Sequence, residues 1–116
     1  MKRMRVLVDE AGVDLVVALN ESETAAAVWA TLPVESAAQT WGEEVYFTIP
    51  VERGPDDAQA TVAPGAVGYW PPGNALCLFF GQQPVSPVNP VGAIEGDPSV
   101  LEAVREGHTV RLARAE

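Results

Sequence analysis

Two adjacent carboxylates, Glu43 and Glu44, are the first residues of the chain whose chemistry suggests a site. A catalytic pair of carboxylates must face a common cleft, in environments that separate the two pKa values. The surrounding segment WGEEVYFTI predicts a strand, and neighbouring residues of a strand point to opposite faces. We therefore predict that Glu43 and Glu44 do not act as a catalytic pair.

Cys77 and His108 are the other residues with potential catalytic or metal-binding chemistry. A cysteine nucleophile needs an adjacent base to form its thiolate. His108, the only histidine, begins the last predicted strand and has no evident relation to Cys77. One histidine and one cysteine do not make a metal site, and no glycine-rich phosphate motif is present. We expect an inert, packed Cys77, no catalytic residues, no metal and no cofactor.

Alternation along two apolar segments predicts which side chains fill the core and which face outward. In WGEEVYFTI, the predicted inward residues are Val45, Phe47 and Ile49, and the outward ones are Glu44, Tyr46 and Thr48. In NALCLFF, the predicted inward residues are Leu76, Leu78 and Phe80, and the outward ones are Ala75, Cys77 and Phe79. The outward sets place a carboxylate beside aromatic rings.

Tyr69 and Trp70 stand directly before the rigid turn Pro-Pro-Gly. Aromatic residues beside prolines are typical of a shallow hydrophobic binding surface, and equally of side chains that cover the open end of a barrel. On the binding interpretation, an outer aromatic groove is formed by Glu44, Tyr46, Tyr69, Trp70 and Phe79.

Composition bounds the class of protein. The chain has 116 residues, 47% of them apolar and 20% charged, which predicts one globular domain over residues 1–116. A net charge of −9 disfavours nucleic acid and anionic membrane surfaces as partners. A single cysteine allows no intrachain disulfide. We recognise no signal peptide and no membrane span, and we expect a cytoplasmic location.

The remaining elements must position these residues. Residues 4–8 and 13–19 predict a β-hairpin. A helix follows, with Asn20 as its N-cap and Glu23 at the spacing of a capping box. Asp97 predicts the N-cap of a second short helix. The apolar faces predicted for the two helices are Ala25, Val28, Trp29 and Leu32 for the first, and Val100, Leu101 and Val104 for the second. About eight strands without parallel βαβ alternation favour an antiparallel barrel or sandwich.

Three segments in the same order resemble a known family: TWGEEVYF (residues 40–47), GAVGYWPPGNALCLFFG (residues 65–81) and NPVGAIEGDPSVLEAVREGHTVRL (residues 89–112). They resemble the small prokaryotic cyclophilin-like proteins, which are related in fold to cyclophilins and have no established biochemical role. The resemblance covers nearly the whole chain. It implies an all-β (mainly β) fold, a closed eight-stranded antiparallel barrel with two short capping helices, and a groove on the outside of the barrel.

The resemblance also raises peptidyl-prolyl cis-trans isomerase activity as a possibility. Cyclophilins polarise the prolyl amide with an arginine, on the strand that corresponds to residues 41–50 of this chain. Here that strand carries Glu43 and Glu44 and no arginine, and a carboxylate accepts hydrogen bonds rather than donating them. The later tryptophan and histidine of cyclophilins have no counterpart in residues 82–89. The argument against isomerase activity would weaken only if Arg53 folded back into the groove and supplied the donor.

We therefore expect a binding module that holds a small molecule or a peptide in the outer aromatic groove, with Glu44 selecting a cationic or amide-bearing group. One alternative is a weak or divergent isomerase, or another reaction that uses Glu44 as a general base. The other is a non-catalytic homo-oligomeric assembly protein whose aromatic patch is buried in a dimer. Nucleic acid and membranes are not expected partners, and the chain is expected to be a monomer or a homodimer.

Overall fold

The structure is a computed structural model that describes residues 2–115. In this range the strands are β1 (Arg3–Val8), β2 (Val13–Leu19), β3 (Val34–Ala37), β4 (Gln39–Thr40), β5 (Glu44–Thr48), β6 (Ala66–Trp70), β7 (Ala75–Phe79), β8 (Asn89–Glu95) and β9 (Thr109–Arg114). The helical elements of the same range are the α-helix α1 (Glu23–Thr31) and the 3-10 helices Asp9–Ala11, Pro71–Gly73 and Pro98–Ala103.

All these strands belong to one antiparallel sheet, in the order β3-β9-β1-β2-β8-β6-β7-β5-β4. The sheet curls until β3 approaches β5. The result is a nearly closed barrel, which confirms the mainly β, antiparallel prediction. Its nine strands exceed the predicted eight because the chain between α1 and β5 forms two very short strands.

Helix α1 begins two residues later than the sequence predicts. Ser22 is its N-cap, and the Ser22 Oγ accepts a hydrogen bond from the backbone N–H of Ala25 at 3.0 Å. The predicted cap, Asn20, instead accepts from the N–H of Ser22 and donates to the carbonyl of Pro90 at 2.9 Å. The prediction of Asn20 as the N-cap was wrong. Serine and asparagine cap helices equally well, and here the Asn20 side chain is held by the carbonyl of Pro90, which is distant in the sequence.

The second predicted helix is the 3-10 helix Pro98–Ala103. The Asp97 carboxylate accepts from the N–H of Ser99 at 2.9 Å, so the predicted N-cap is confirmed. Leu101 and Val104 are buried against the barrel, whereas Val100 is exposed. With three residues per turn, a 3-10 helix aligns Leu101 with Val104 and turns Val100 away from the face that α-helical spacing would give it.

The barrel interior is filled by inward side chains of β5 and β7, as alternation predicts. Val45, Phe47, Leu76 and Leu78 are each at most 1% exposed and belong to one continuous apolar core. Each fully buried side chain of this kind contributes about 1.5–3 kcal/mol relative to an exposed one. Because these residues occupy the interior, their neighbours on the same strands must face outward.

A buried polar network ties the irregular segment 50–65 to the barrel and to α1. The Asn89 side chain donates to the carbonyl of Gly54 at 3.0 Å and to the Thr24 Oγ1 at 3.3 Å. It also accepts from the N–H of Asp56 at 2.9 Å, and the Asp56 carboxylate accepts from the Thr24 hydroxyl at 2.8 Å. Asn89 and Thr24 are fully buried, so each group depends on the others for its hydrogen bonds.

Substituting Asn89→Ala should destabilise the protein by about 2–3 kcal/mol, because it leaves several buried polar groups without partners. Urea unfolding followed by circular dichroism measures this change. Gln39→Ala is the control: Gln39 is exposed on a short edge strand, and the substitution should change stability by less than about 0.5 kcal/mol. Equal effects of the two substitutions would contradict the role given to the network.

Candidate functional site

The outer face of β5 and β7 carries four side chains in a compact arrangement. Glu44 stands opposite Phe79 and Tyr46 opposite Cys77 in the antiparallel register. Side chains directly opposite one another on a sheet face lie about 5 Å apart at Cβ. Cys77 and Phe79 belong to an apolar cluster separate from the barrel core. Alternation therefore brings a carboxylate, a thiol and two aromatic rings together outside the barrel.

Residues 82–88 form a loop that covers part of this outer face. Val88 is anchored by two backbone hydrogen bonds with Gln59, at 2.8 and 3.0 Å. It packs directly over Gly68, where a Cβ would lie 2.6 Å from the Val88 Cγ2. No larger residue fits at Gly68 while Val88 keeps this position. Because Gly68 has no side chain, the loop can approach β6 at this position.

Trp70 forms the side wall between the sheet and the loop. Its indole Nε1 donates to the Ser86 Oγ at 2.6 Å. A Cβ at Gly73 would lie 2.7 Å from two carbons of the Trp70 ring, so a glycine is needed where the indole folds over the Pro-Pro-Gly turn. The rigid turn and the hydrogen bond together fix the position of the ring.

These elements border a cavity of about 210 Å³ that is partly open to solvent, which we call the outer pocket. It is lined by Trp41, Glu44, Tyr46, Trp70, Cys77, Phe79, Pro84, Val85, Ser86 and Val88. Four of the five residues predicted for the groove are thus brought together: Glu44, Tyr46, Trp70 and Phe79. The other lining residues were not predicted as binding residues, although Cys77 was predicted to face outward.

Tyr69 does not line the outer pocket, and its predicted place in the groove was wrong. The side chain is fully buried in the barrel core. Its hydroxyl donates to the carbonyl of Val51 at 2.6 Å and accepts from the N–H of Arg53 at 3.2 Å. Because successive residues of β6 point to opposite faces, only one of Tyr69 and Trp70 can reach the outside.

Glu44 is a buried carboxylate in an apolar setting. Only 6% of the residue is exposed, and within residues 2–115 it takes part in no ion pair. Burial raises the pKa of Glu44, and a hydrogen bond from the Cys77 thiol partly opposes that rise. A thiol is a weak donor. The protein's own groups therefore compensate this carboxylate poorly.

Cys77 is buried beside this carboxylate. Burial raises the pKa of the Cys77 thiol strongly, and the negative charge of Glu44 raises it further. The thiolate needed for nucleophilic attack is thus suppressed at neutral pH. His108 does not line the outer pocket: its Nδ1 accepts from the N–H of Arg105 at 3.1 Å.

Arg53 does not fold back into the outer pocket. Its Nη2 pairs with the Glu23 carboxylate at 3.1 Å, at the start of α1. The lining residues in the described part of the chain include no arginine, lysine or histidine. Within residues 2–115, no group of three or more His, Cys, Asp or Glu is placed to hold a metal ion. In that same range, every helix is too short or too polar to cross a membrane.

Comparison with known proteins identifies relatives that match nearly the whole chain. The sequence model of the family described as cyclophilin-like matches residues 2–113. The solution structure of the hypothetical protein AF2241 from Archaeoglobus fulgidus is similar, with 35% sequence identity and a TM-score of 0.81. That match covers 98% of this chain and 95% of AF2241. No curated protein matches the chain significantly.

A more distant structural relative shares the fold. The structure of McbB in complex with tryptophan matches with a TM-score of 0.80 and 19% sequence identity. The match covers 97% of this chain and 44% of McbB, so the chain corresponds to less than half the length of that protein. At this identity the likeness concerns the barrel alone.

Replacing Glu44 with glutamine should stabilise the protein by about 1 kcal/mol at pH 7, because it removes a buried charge and keeps the side-chain shape. The raised pKa means that the folded state binds the Glu44 proton more tightly than the unfolded state does. Stability is therefore lost as the pH rises from the unfolded pKa through the folded pKa. The advantage of E44Q should accordingly vanish below about pH 4.

Urea unfolding at a series of pH values measures this effect. The matched control is Glu43→Gln, which removes the same charge from the exposed neighbouring residue. The control should shift stability by less than about 0.5 kcal/mol at pH 7. If E44Q were no more stable than E43Q at pH 7, the proposed cost of the buried carboxylate would be refuted.

Cys77 should react with iodoacetamide at pH 8 at least about 100-fold more slowly in the folded protein than in urea, because its thiolate is disfavoured and shielded. Mass spectrometry of timed samples measures both rates on the same chain. Similar rates in the folded and the unfolded protein would contradict the packed, protonated state of this thiol.

Proposed function

The chain belongs to the cyclophilin-like family, and from that premise we propose that it is a binding protein whose outer pocket takes up a small molecule or one side chain of a peptide. The proposal concerns the outside of the barrel, where β5, β6 and β7 meet the loop 82–88. The barrel interior is filled with apolar side chains.

The observation that carries this proposal is the exposed apolar rim of the outer pocket. Large exposed hydrophobic residues in the described range are Trp41, Val85 and Val100, and the first two both line this cavity. Their exposed fractions are 45% and 67%. Single exposed apolar residues are normal on a protein surface. Two at the mouth of one aromatic cavity are typical of a surface that a ligand covers.

The size of the outer pocket limits what it can hold. Its volume is about 210 Å³, and an engineered cavity of about 150 Å³ accommodates a benzene molecule. A single ring or a small branched group therefore fits, whereas a whole peptide does not. A peptide ligand would insert one side chain and lie across the rim formed by Trp41 and Val85.

The polar groups of the outer pocket favour binding over prolyl isomerisation. Isomerisation requires a fixed donor that polarises the prolyl amide against a barrier of ~18–20 kcal/mol. The charged group in this pocket is the Glu44 carboxylate, which repels an amide oxygen. Arg53, the one cation considered for that role, is held by Glu23 at the start of α1.

The proposed partners follow from the same charges. With a net charge of −9, nucleic acids and anionic membranes are repelled over most of the surface. We therefore propose an uncharged or cationic small molecule or peptide as the partner. A homodimer that buries the apolar rim is the competing arrangement, and the experiment below separates the two.

The three tryptophans provide a direct test by NMR. Ring-sized compounds, one neutral, one cationic and one anionic, should be titrated into the 15N-labelled protein at millimolar concentration. At least one compound should shift the indole N–H signals of Trp41 and Trp70. The indole of Trp29 is the internal control, because its ring lies on α1 and is covered by the Arg114 guanidinium at 4.7 Å from the ring centroid.

Two results would overturn the proposal. One is the absence of any compound-dependent shift at Trp41 and Trp70. The other is a shift of these two signals on dilution of the protein alone, together with a dimer in sedimentation, which would assign the rim to self-association. As a further check, Trp41→Ala should weaken binding by about tenfold with little loss of stability, since the ring is half exposed.

A further inference from the structure

A weakly hydrogen-bonded carboxylate in the wall of an aromatic pocket constrains the chemistry of a ligand that would bind there. In the described residues, the four arginine–carboxylate pairs lie at exposed or half-exposed sites elsewhere on the surface. Glu44, by contrast, is buried and lies beside only the weak Cys77 donor. A buried ionised group is costly unless a counter-charge accompanies it. A positive charge is therefore the first feature expected of a ligand of this pocket.

Aromatic side chains line the same cavity as this carboxylate. Trp41, Tyr46, Trp70 and Phe79 line the same cavity as Glu44. Aromatic rings attract cations through their quadrupole, and tryptophan does so best. The attraction is largest when the cation has lost its water, as it does in an apolar cavity. A carboxylate within an aromatic enclosure is the combination that recognises alkylated ammonium ions.

From this arrangement we propose that the ligand of the outer pocket is an organic ammonium ion, whose alkylated nitrogen lies against Glu44 among the rings of Tyr46, Trp70 and Phe79. This inference rests on the proposed binding function and specifies its ligand class. A trimethylammonium head on a short stem matches a cavity of about 210 Å³. Its stem would leave between Trp41 and Val85 at the rim.

Other ligand chemistries fit the outer pocket less well. An anion meets the Glu44 carboxylate and the overall charge of −9. A bare metal cation needs several oxygen, nitrogen or sulfur ligands, and no cluster of three or more His, Cys, Asp or Glu occurs within residues 2–115. A neutral ligand of the same shape fills the space but leaves the carboxylate without a counter-charge. That neutral ligand is therefore the most informative comparison.

Choline and its uncharged isostere, 3,3-dimethylbutan-1-ol, make this comparison on the 116-residue chain. Both are titrated while the Trp41 and Trp70 indole signals are followed. Choline should bind at least about tenfold more tightly than the isostere, because only choline supplies the counter-charge. The carboxylate analogue 3,3-dimethylbutanoate should bind more weakly than either.

The variant E44Q tests which residue creates the selectivity. It should lose at least about tenfold in affinity for choline and keep its affinity for the neutral isostere. The control E43Q removes an equal charge from an exposed position outside the pocket, and it should retain the choline preference of the unmodified protein. Dispersed NMR spectra of both variants confirm that each is folded.

The outcomes separate this inference from the proposed function. If the isostere binds as tightly as choline, or E44Q keeps the choline preference, the ammonium assignment is wrong and the binding function stands. If no probe, in this set or in the ring-sized set, shifts Trp41 or Trp70, both fail. Binding of choline with equal shifts at Trp29 would show general attraction of a cation to an acidic protein, and it too would refute the assignment.

Discussion

The pairing register of β5 with β7 is the constraint on which the rest of the molecule depends. It sets Val45 opposite Leu78 and Phe47 opposite Leu76 on the inner face. A slip of one residue would turn the buried row of the slipped strand toward solvent, at a cost of about 1.5–3 kcal/mol for each large side chain. The hydrophobic core thus fixes the register, and the register in turn places Glu44, Tyr46, Cys77 and Phe79 outside.

The outer face would be an exposed apolar patch if nothing covered it. The loop 82–88 covers it in part, because Gly68 leaves room for Val88 and Trp70 binds Ser86. The cover is incomplete, and the remaining space is the outer pocket. The charge of Glu44 is therefore held in a region whose walls are apolar, where an interaction with an opposite charge is stronger than in water.

Two neighbouring titratable groups in this pocket, Glu44 and Cys77, act on each other in a way that disfavours covalent chemistry at the thiol. Burial raises the pKa of the Cys77 thiol most, the adjacent Glu44 carboxylate raises it further, and the thiol is a poorer nucleophile as a result. The thiol in return is too weak a donor to satisfy the carboxylate. A cation beside Glu44 would stabilise the carboxylate and would lower the pKa of the Cys77 thiol. Arg53 does not take this position, because it pairs with Glu23.

The local sequence determined the inward and outward faces of β5 and β7, the first hairpin, the Asp97 cap and the outward position of Glu44. These features follow from alternation and capping between near neighbours in the chain, so a single sequence is enough to find them. The family resemblance added the barrel. The predicted N-cap was wrong because Asn20 and Ser22 are equally good capping residues. The groove prediction was wrong for Tyr69 because adjacent residues of a strand, such as Tyr69 and Trp70, point to opposite faces.

Only the tertiary structure decided how the outer pocket is closed. Pro84, Val85, Ser86 and Val88 lie in a proline-rich loop, and no local pattern indicates that this loop folds back over a sheet face. Its position depends on Gly68 and Gln59, which are distant in the chain. The sequence alone could therefore set Glu44 facing outward among aromatic residues. Whether that carboxylate faced water or a cavity was decided by long-range packing, which has no local periodic signal.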